Sequence, residues 1–336
     1  MKKVFLVSLI LMMIGILSAG CTQRKEEVEA TLKVGLVFDV GGRGDKSFND
    51  SAYRGLERAK EELGIYYEYI EPGEGSDRES GLRMLAYQRF DLIFGIGFMF
   101  SDDITYIAKE FPEKKFACVD YTVQPGREIP PNLAALKFRE EEGSYLVGAL
   151  AGLLTKTNKL GFVGGMDIPL IHRFESGYKA GVRRANPKAI ILVGYAGVTG
   201  DAFKNPAKGK EIALSQYGQG VDIIYHASGS TGLGVFEAAR DKKALAIGVD
   251  SDQYHEAPGY ILTSMVKRVN NSVYNTIKDT VADQFKGGVH IFGLKEDGVG
   301  YVYDENNRDL IPDEVRKKVE ELKAKVIAGE IEVPRE

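Results

Sequence analysis

Two short stretches of the sequence carry the same set of residue types. FDVGGRGDKSFND follows the first apolar run, and GYAGVTGDAFKNPAKG contains the end of a later one. Each has Gly-Asp, then a Phe within three residues, then an Asn close behind, then a helical pattern. The two aromatics are Phe48 and Phe203. Coming from opposite lobes, their faces would make a slot for a flat ring. Stacking a base on an aromatic side chain contributes about 1–3 kcal/mol and tolerates any planar heterocycle. The plainer alternative is that both are core residues of the helices they begin.

A stacked ring still needs its edge read. Asn49 offers donors and an acceptor, and Asp120 closes the run KFACVD with a carboxylate that can accept N–H groups such as those of a purine. Buried groups of this kind reject ligands that leave them unpaired. Asp120 suits a helix cap or a turn equally well. Three other places suit a sugar. HASGSTGLG (226–234) is a Gly-rich turn into a helix, with Gly229 and Gly232 allowing close backbone approach. Asp250 ends ALAIGVD and could accept two hydroxyls, and Lys267 ends YILTSMVK and could donate to another. A phosphate would ask for more positive charge, so one Lys with Asp nearby fits a neutral polyol better.

The elements that must hold these residues are legible as a series. LKVGLVFD (32–39), IYYEYIE (65–71), DLIFGIG (91–97), KFACVD (115–120) and LAALKF (133–138) read as strands, with helices at 47–62 and near 77–89. A second set follows: KLGFVGG (159–165), AIILVGY (189–195), VDIIYHAS (221–228) and ALAIGVD (244–250). Continuous apolar strands alternating with helices indicate parallel sheets covered on both faces. The expected fold class is therefore α/β, with two doubly wound parallel-sheet lobes and a ligand cleft between them, joined around 121–140. Ligands of such sheets bind beyond the carboxyl ends of the strands, where the chosen residues lie. The later pieces are a strand at 260–268, a helix at 270–286, GVHIFGL and VGYVYDE as a strand pair, and a helix at 312–328. The chain would cross between lobes three times. We assign 31–136 with 253–287 to the N-terminal lobe and 137–252 with 288–336 to the C-terminal lobe.

The N-terminal end is different in kind. Lys2 and Lys3 precede VFLVSLILMMIGILSAG, which reads as an export signal over residues 1–20 and is slightly short for a membrane span. Leu17-Ser18-Ala19-Gly20-Cys21 resembles a bacterial lipobox, in which the chain is cut before the Cys and its thiol takes a lipid. A lipid on Cys21 would tether the protein to the membrane without spanning it, with 21–30 as a polar tether. Without Lys2 and Lys3 the balance is 42 basic against 48 acidic residues, or −6. No basic block suggests a nucleic-acid partner. Cys118 lies in an apolar run and reads as a buried small hydrophobe, and the four scattered His show no metal-ligand spacing.

DKSFN, the turn at VDYT, GDAFKNPAKGKEIA, GVDSDQ and SMVKR, in this order on a lipobox precursor, together resemble the basic membrane protein family. Its members are substrate-binding lipoproteins of ABC transporters, several of which bind purine nucleosides. The resemblance spans nearly the whole mature chain. It implies a type I periplasmic-binding-protein-like fold closing on one purine nucleoside (inosine, guanosine or adenosine), no cofactor, no catalysis, and ABC transporter membrane subunits as partners. It also implies a cell-membrane location, lipid-anchored and facing the periplasm or the exterior. Carried to this sequence, Phe48 and Phe203 would sandwich the base, Asn49 and Asp120 would read its edge, and Asp250 and Lys267 would hold the ribose, with Gly229 and Gly232 nearby. Asp45 would support the first loop. Family members often carry a second acidic residue before DKSFN; here Gly44 stands there, behind Arg43.

Other readings compete. A sugar or other small molecule could fill the same cleft, since sugars also stack on aromatic faces. The protein could also sense its ligand for a membrane partner rather than deliver it. A nucleoside hydrolase or phosphorylase is the enzymatic alternative, but hydrolases of that class need an Asp cluster for a metal, and Asp39, Asp45 and Asp50 are spread across a Gly-rich turn with no second group to match. GGRGDKS lacks the Gly-Lys-Ser of a phosphate-binding loop because Asp45 intervenes.

Overall fold

The computed structural model describes residues 32–71, 73 and 77–336. The signal segment, Cys21 and the tether lie outside the described residues. The described residues form two six-stranded sheets. In the first, β1 (Lys33–Val37), β2 (Tyr66–Ile70), β3 (Leu92–Ile96), β4 (Lys115–Val119) and β5 (Leu133–Phe138) are joined by β11 (Gly288–Phe292) in the order β11-β5-β4-β3-β1-β2. The second holds β6 (Lys159–Met166), β7 (Ile190–Gly197), β8 (Ile223–Ala227), β9 (Leu245–Asp250), β10 (Ile261–Lys267) and β12 (Val299–Tyr301) in the order β12-β10-β9-β8-β6-β7. Among the described residues the strand pairings are parallel except that of β10 with β12. Central strands such as LIFGI and IIYHA are buried along their whole length, as a sheet covered on both faces requires.

Both sheets share the doubly wound order 2-1-3-4-5 along their first five strands. The order reverses between β1 and β3 in one lobe and between β6 and β8 in the other. That reversal opens a crevice at the carboxyl ends, and the two crevices face the same cleft. The helices of the first lobe are α1 (Phe48–Leu63), α2 (Asp77–Tyr87) and α3 (Ser101–Glu110). Those of the second are α4 (Glu140–Leu154), α5 (Pro169–Ala185), α6 (Pro206–Gly218) and α7 (Thr231–Lys242). Then come α8 (Val269–Val281), packed on α1, and α9 (Asp313–Ile327), packed on α4. Helices α4 and α5 approach closely through glycine: a Cβ on Gly181 would stand 2.0 Å from the Tyr145 carbonyl oxygen.

The chain passes between the sheets three times, after β5, after β10 and between β11 and β12. Two assignments made from sequence are corrected. Residues 253–287 do not all belong to the first lobe, because β10 pairs with β9 from Ile261↔Ala246 to Val266↔Asp250 in the second sheet. Residues 288–336 do not all belong to the second lobe, because β11 pairs with β5 from Gly288↔Ala134 to Phe292↔Phe138. GVHIFGL and VGYVYDE are therefore not partners: β12 runs antiparallel to β10 instead. An apolar run announces a strand but does not name its neighbour, and strand partners here are chosen by which sheet edge each crossover can reach.

Candidate functional site

The first loop is built around Asp45. Its carboxylate accepts from the backbone N–H of Ser47 at 2.9 Å, Asn49 at 2.8 Å and Asp50 at 3.1 Å, which caps α1. Asp50 in turn accepts from the N–H of Gly44 and Lys46. Several N–H groups that a phosphate loop would offer to a ligand thus face the loop's own carboxylates. Asn49 is nearly fully buried. Its Oδ1 accepts from the Asp39 N–H at 3.1 Å and its Nδ2 donates to Asp45 at 3.1 Å, leaving one N–H and one lone pair for anything else. Phe48, the first residue of α1, is half-buried.

The first loop docks on the end of β9 across the cleft. Ser47 Oγ donates to Asp250 at 2.5 Å, Ser251 Oγ donates to the Ser47 carbonyl at 3.0 Å, and Gln253 Nε2 donates to the Lys46 carbonyl at 3.1 Å. The lobes are latched at this point. Asp250 has φ +65°, a left-handed conformation that Asp tolerates better than most residues. Burial pushes its carboxyl up to about 7, with Lys267 and the Ser47 hydroxyl opposing. Asp39, at the end of the first strand, is likewise pushed up to about 7 by burial, against the Val40 N–H bond. Gly97, at φ +109°, backs onto it: a Cβ there would stand 2.1 Å from Asp39 Oδ2.

Lys267 is 1% exposed and carries the ion network of the cleft. Its Nζ lies 2.7 Å from Asp120 and 3.1 Å from Glu140. Phe48, Phe138 and Phe174 surround it with ring centroids at 5.2, 5.1 and 5.5 Å. Burial alone would lower its pKa, but Asp120, Glu140 and Asp250 outweigh that and hold the ammonium charged, above the usual lysine range. Asp120, at φ +60°, is thus a turn residue and the partner of Lys267. Both of its carboxylate oxygens lie 2.7 Å from the Lys267 Nζ, with Oδ2 accepting the hydrogen bond.

One cavity of about 580 Å³, counted out to solvent at its mouth, joins these residues. Asp45, Phe48, Asn49 and Asp120 line it from the first lobe, and Phe203, Gly229, Asp250 and Lys267 from the second. Phe203 is half-buried, with Phe98 edge-on at 6.5 Å, and its carbonyl accepts from Ser230 Oγ at 3.0 Å. Gly232 is the exception among the expected residues. It packs against the His226 ring, where a Cβ would stand 2.0 Å from the imidazole, and it does not line the cavity. His226 is a core residue whose pKa burial lowers to about 4. Gly232 is therefore a packing glycine.

The cavity also holds residues that the motifs did not single out: Asp39, Phe98, Leu170, Ile171, Phe174 and Ser228. Asp39 and Phe98 could have been found, since each stands just past an apolar strand, as Asp120 and Asp250 do. Phe174 reaches the cavity from α5 and has no local signal. Among the described residues, no group of three or more His, Cys, Asp and Glu could hold a metal ion, and no helix is long and apolar enough to cross a membrane. Cys118 is free and buried.

Two like lobes, with strand ends converging on an aromatic and acidic cavity, define a solute-binding protein of the two-lobed α/β type. Residues 32–336 match the family model Bmp, described as ABC transporter substrate-binding protein PnrA-like, and the chain belongs to this family. It is 33% identical to the ABC transporter nucleoside-binding protein BmpA of Lactococcus lactis, over 99% of both chains. It is 37% identical to an uncharacterised lipoprotein of Pyrococcus abyssi, over 92% of this chain and 82% of the relative. A crystal structure of an ABC transporter solute-binding protein from Aeropyrum pernix superposes with a TM-score of 0.82 at 34% identity, covering 91% of this chain and 94% of that one.

Proposed function

We propose that the cleft captures a purine nucleoside and that the closed form is presented to the membrane subunits of an ABC transporter. The observation that carries this reading is the composition of one cavity: an aromatic from each lobe, Phe48 and Phe203, together with buried carboxylates at Asp39 and Asp250. The rings supply stacking faces. Asp39, with the unused half of the Asn49 amide, reads the edge of the base; a carboxyl at about 7 can accept or donate near neutral pH. Asp250 accepts from ribose hydroxyls and Lys267 donates, while Gly229 lets the backbone approach. Asp120 serves the site by holding Lys267 as much as by facing the ligand. Arg43, just before the Gly44 at which the family pattern departs, stacks on Tyr53 with its guanidinium carbon 3.6 Å from the ring centre. The similarity to the nucleoside-binding protein of Lactococcus lactis supports the ligand class. A lipid on Cys21 would keep the receptor at the outer face of the membrane.

The test is thermal unfolding of protein first unfolded and refolded to remove bound ligand, then mixed with inosine, guanosine, adenosine, cytidine, free bases, ribose or glucose. Ligand at about a hundred times its dissociation constant adds about 2.7 kcal/mol of stability. Purine nucleosides should raise the midpoint, and Phe48→Ala and Phe203→Ala should each weaken binding by about 1–3 kcal/mol. A shift with a sugar and none with any nucleoside would overturn the reading.

A further inference from the structure

The motif GVDSDQ ends on Gln253, which the cleft contacts leave without a role of its own. Gln253 is 1% exposed, follows β9 in the second lobe and does not line the cavity. Its own lobe holds it in place. The backbone N–H donates to Ser264 Oγ at 3.1 Å, and Oε1 accepts from the Val249 N–H at 2.8 Å. Gly248 makes room for the side chain: a Cβ there would stand 2.7 Å from Oε1. Two backbone partners fix which way the amide points. The Val249 N–H can only donate, and the Lys46 carbonyl, 3.1 Å from Nε2 and in the other lobe, can only accept. The protons further along follow from that. His226 is neutral, since burial lowers its pKa to about 4, and so has one ring N–H. Its Nε2 lies 3.2 Å from Oε1, which only accepts, so Nε2 carries the proton and Nδ1 accepts from Ser228 Oγ at 3.3 Å. Ser228 stands in the cavity wall, and with its proton committed to His226 it has only lone pairs left for other partners. One amide thus joins the loop before Phe48, the strand end that carries Asp250, and the wall at Ser228.

We infer that Gln253 is a positioning residue for ligand capture: held by its own lobe, its amide takes the Lys46 carbonyl when the lobes close, and that bond sets the Phe48 loop against Asp250 and Ser228. This role rests on the cleft capturing its ligand by closing. The first lobe presents a fixed acceptor. Lys46 lies at φ +57°, a left-handed conformation held by its N–H bond to Asp50 at 3.1 Å, and Asp45 caps the helix just after it. The neighbouring contacts across this seam come from groups that rotate more freely: the hydroxyls of Ser47 and Ser251, and Arg54, whose Nη2 donates to Ser251 Oγ at 2.6 Å. Gln253 donates from a side chain already held in place, so little freedom is lost when its bond forms. When the lobes part, water takes both the amide N–H and the carbonyl, so the bond favours the closed state alone. Because Gln253 stands outside the cavity, it acts on every cleft ligand alike.

The experiment uses the full chain, stripped of ligand, with inosine, guanosine and adenosine as probes. Gln253→Glu keeps an acceptor for Val249 and His226 but sets a carboxylate oxygen against the Lys46 carbonyl, and Gln253→Met removes donor and acceptor at similar length. Titration calorimetry should show each variant binding the nucleosides more weakly by about tenfold or more, with one common factor for all of them. Stopped-flow kinetics should place that loss in faster dissociation, with association changed by less than about threefold. Binding within about threefold of the wild type, a loss that differs from one nucleoside to the next, or a loss carried by association overturns the inference. If one variant fails to unfold cooperatively, the other decides. If both fail, Gln253 belongs to the core of the second lobe and the inference is overturned as well. A wild type that answers only to ribose or glucose overturns the nucleoside reading, and the same comparison made with that sugar still decides the role of Gln253.

Discussion

Replacing Asp250 by Asn changes one oxygen to an amide nitrogen and leaves the backbone untroubled, since Asn, like Asp, tolerates φ of +65°. The electrostatic change is large. Burial raises the Asp250 carboxyl from 3.8 to about 7. A group raised in the folded state gives its full stability below the unfolded value and loses it as pH rises through the folded one. The wild type therefore weakens between about pH 4 and pH 7 on account of Asp250, and is level above that. At 1.36 kcal/mol per unit, the ionised carboxylate makes the folded protein about 4 kcal/mol less stable at about pH 8. Asn carries no such charge, and Lys267 keeps Asp120 and Glu140 as partners. Ligand-free Asp250→Asn should thus be more stable than the wild type by about 4 kcal/mol at about pH 8 and by less than about 2 kcal/mol at about pH 5. Urea unfolding at the two pH values measures both. The same variant should bind nucleoside more weakly, by about 1.5–3 kcal/mol for each hydroxyl bonded to the carboxylate. A variant that is less stable at about pH 8, or whose gain does not depend on pH, would refute the argument.

Lys267→Met should destabilise the protein by about 3–5 kcal/mol at neutral pH, because Asp120 and Glu140 stay buried without their cation. That loss should shrink on acidification as the Glu140 carboxyl, which burial raises above the usual range, takes up a proton, and a loss that stays constant from about pH 8 to pH 5 would contradict it. Gly181→Ala should cost more than the about 1–3 kcal/mol of ordinary overpacking, because the new Cβ meets backbone atoms, Tyr145 O at 2.0 Å and Ala149 N at 2.7 Å, that cannot rotate away. Differential calorimetry would show a lowered midpoint, and an unchanged one would mean that α4 and α5 separate freely.

The periodicity of apolar runs was enough to determine the α/β class, because a strand buried on both faces must be apolar throughout and must alternate with helices to be covered. The rule that ligands bind past the strand ends then led to Phe48, Asp120, Phe203, Asp250 and Lys267, each marked by its position alone. The same rule would have reached Asp39 and Phe98. Gly232 was misplaced because a glycine in a turn looks alike whether a ligand or an imidazole fills the space above it. Only the tertiary structure decided that β10 and β11 go to opposite sheets, since strand pairing depends on which edge is free. Only it brought Phe174 into the cavity from a helix, and drew Glu140 and Asp120 together on Lys267. Only it set Gln253 against the Lys46 carbonyl, 207 positions apart and in different lobes. Local sequence fixes the conformation of a segment; which charges meet across a cleft follows from how two separately folded sheets are turned toward each other.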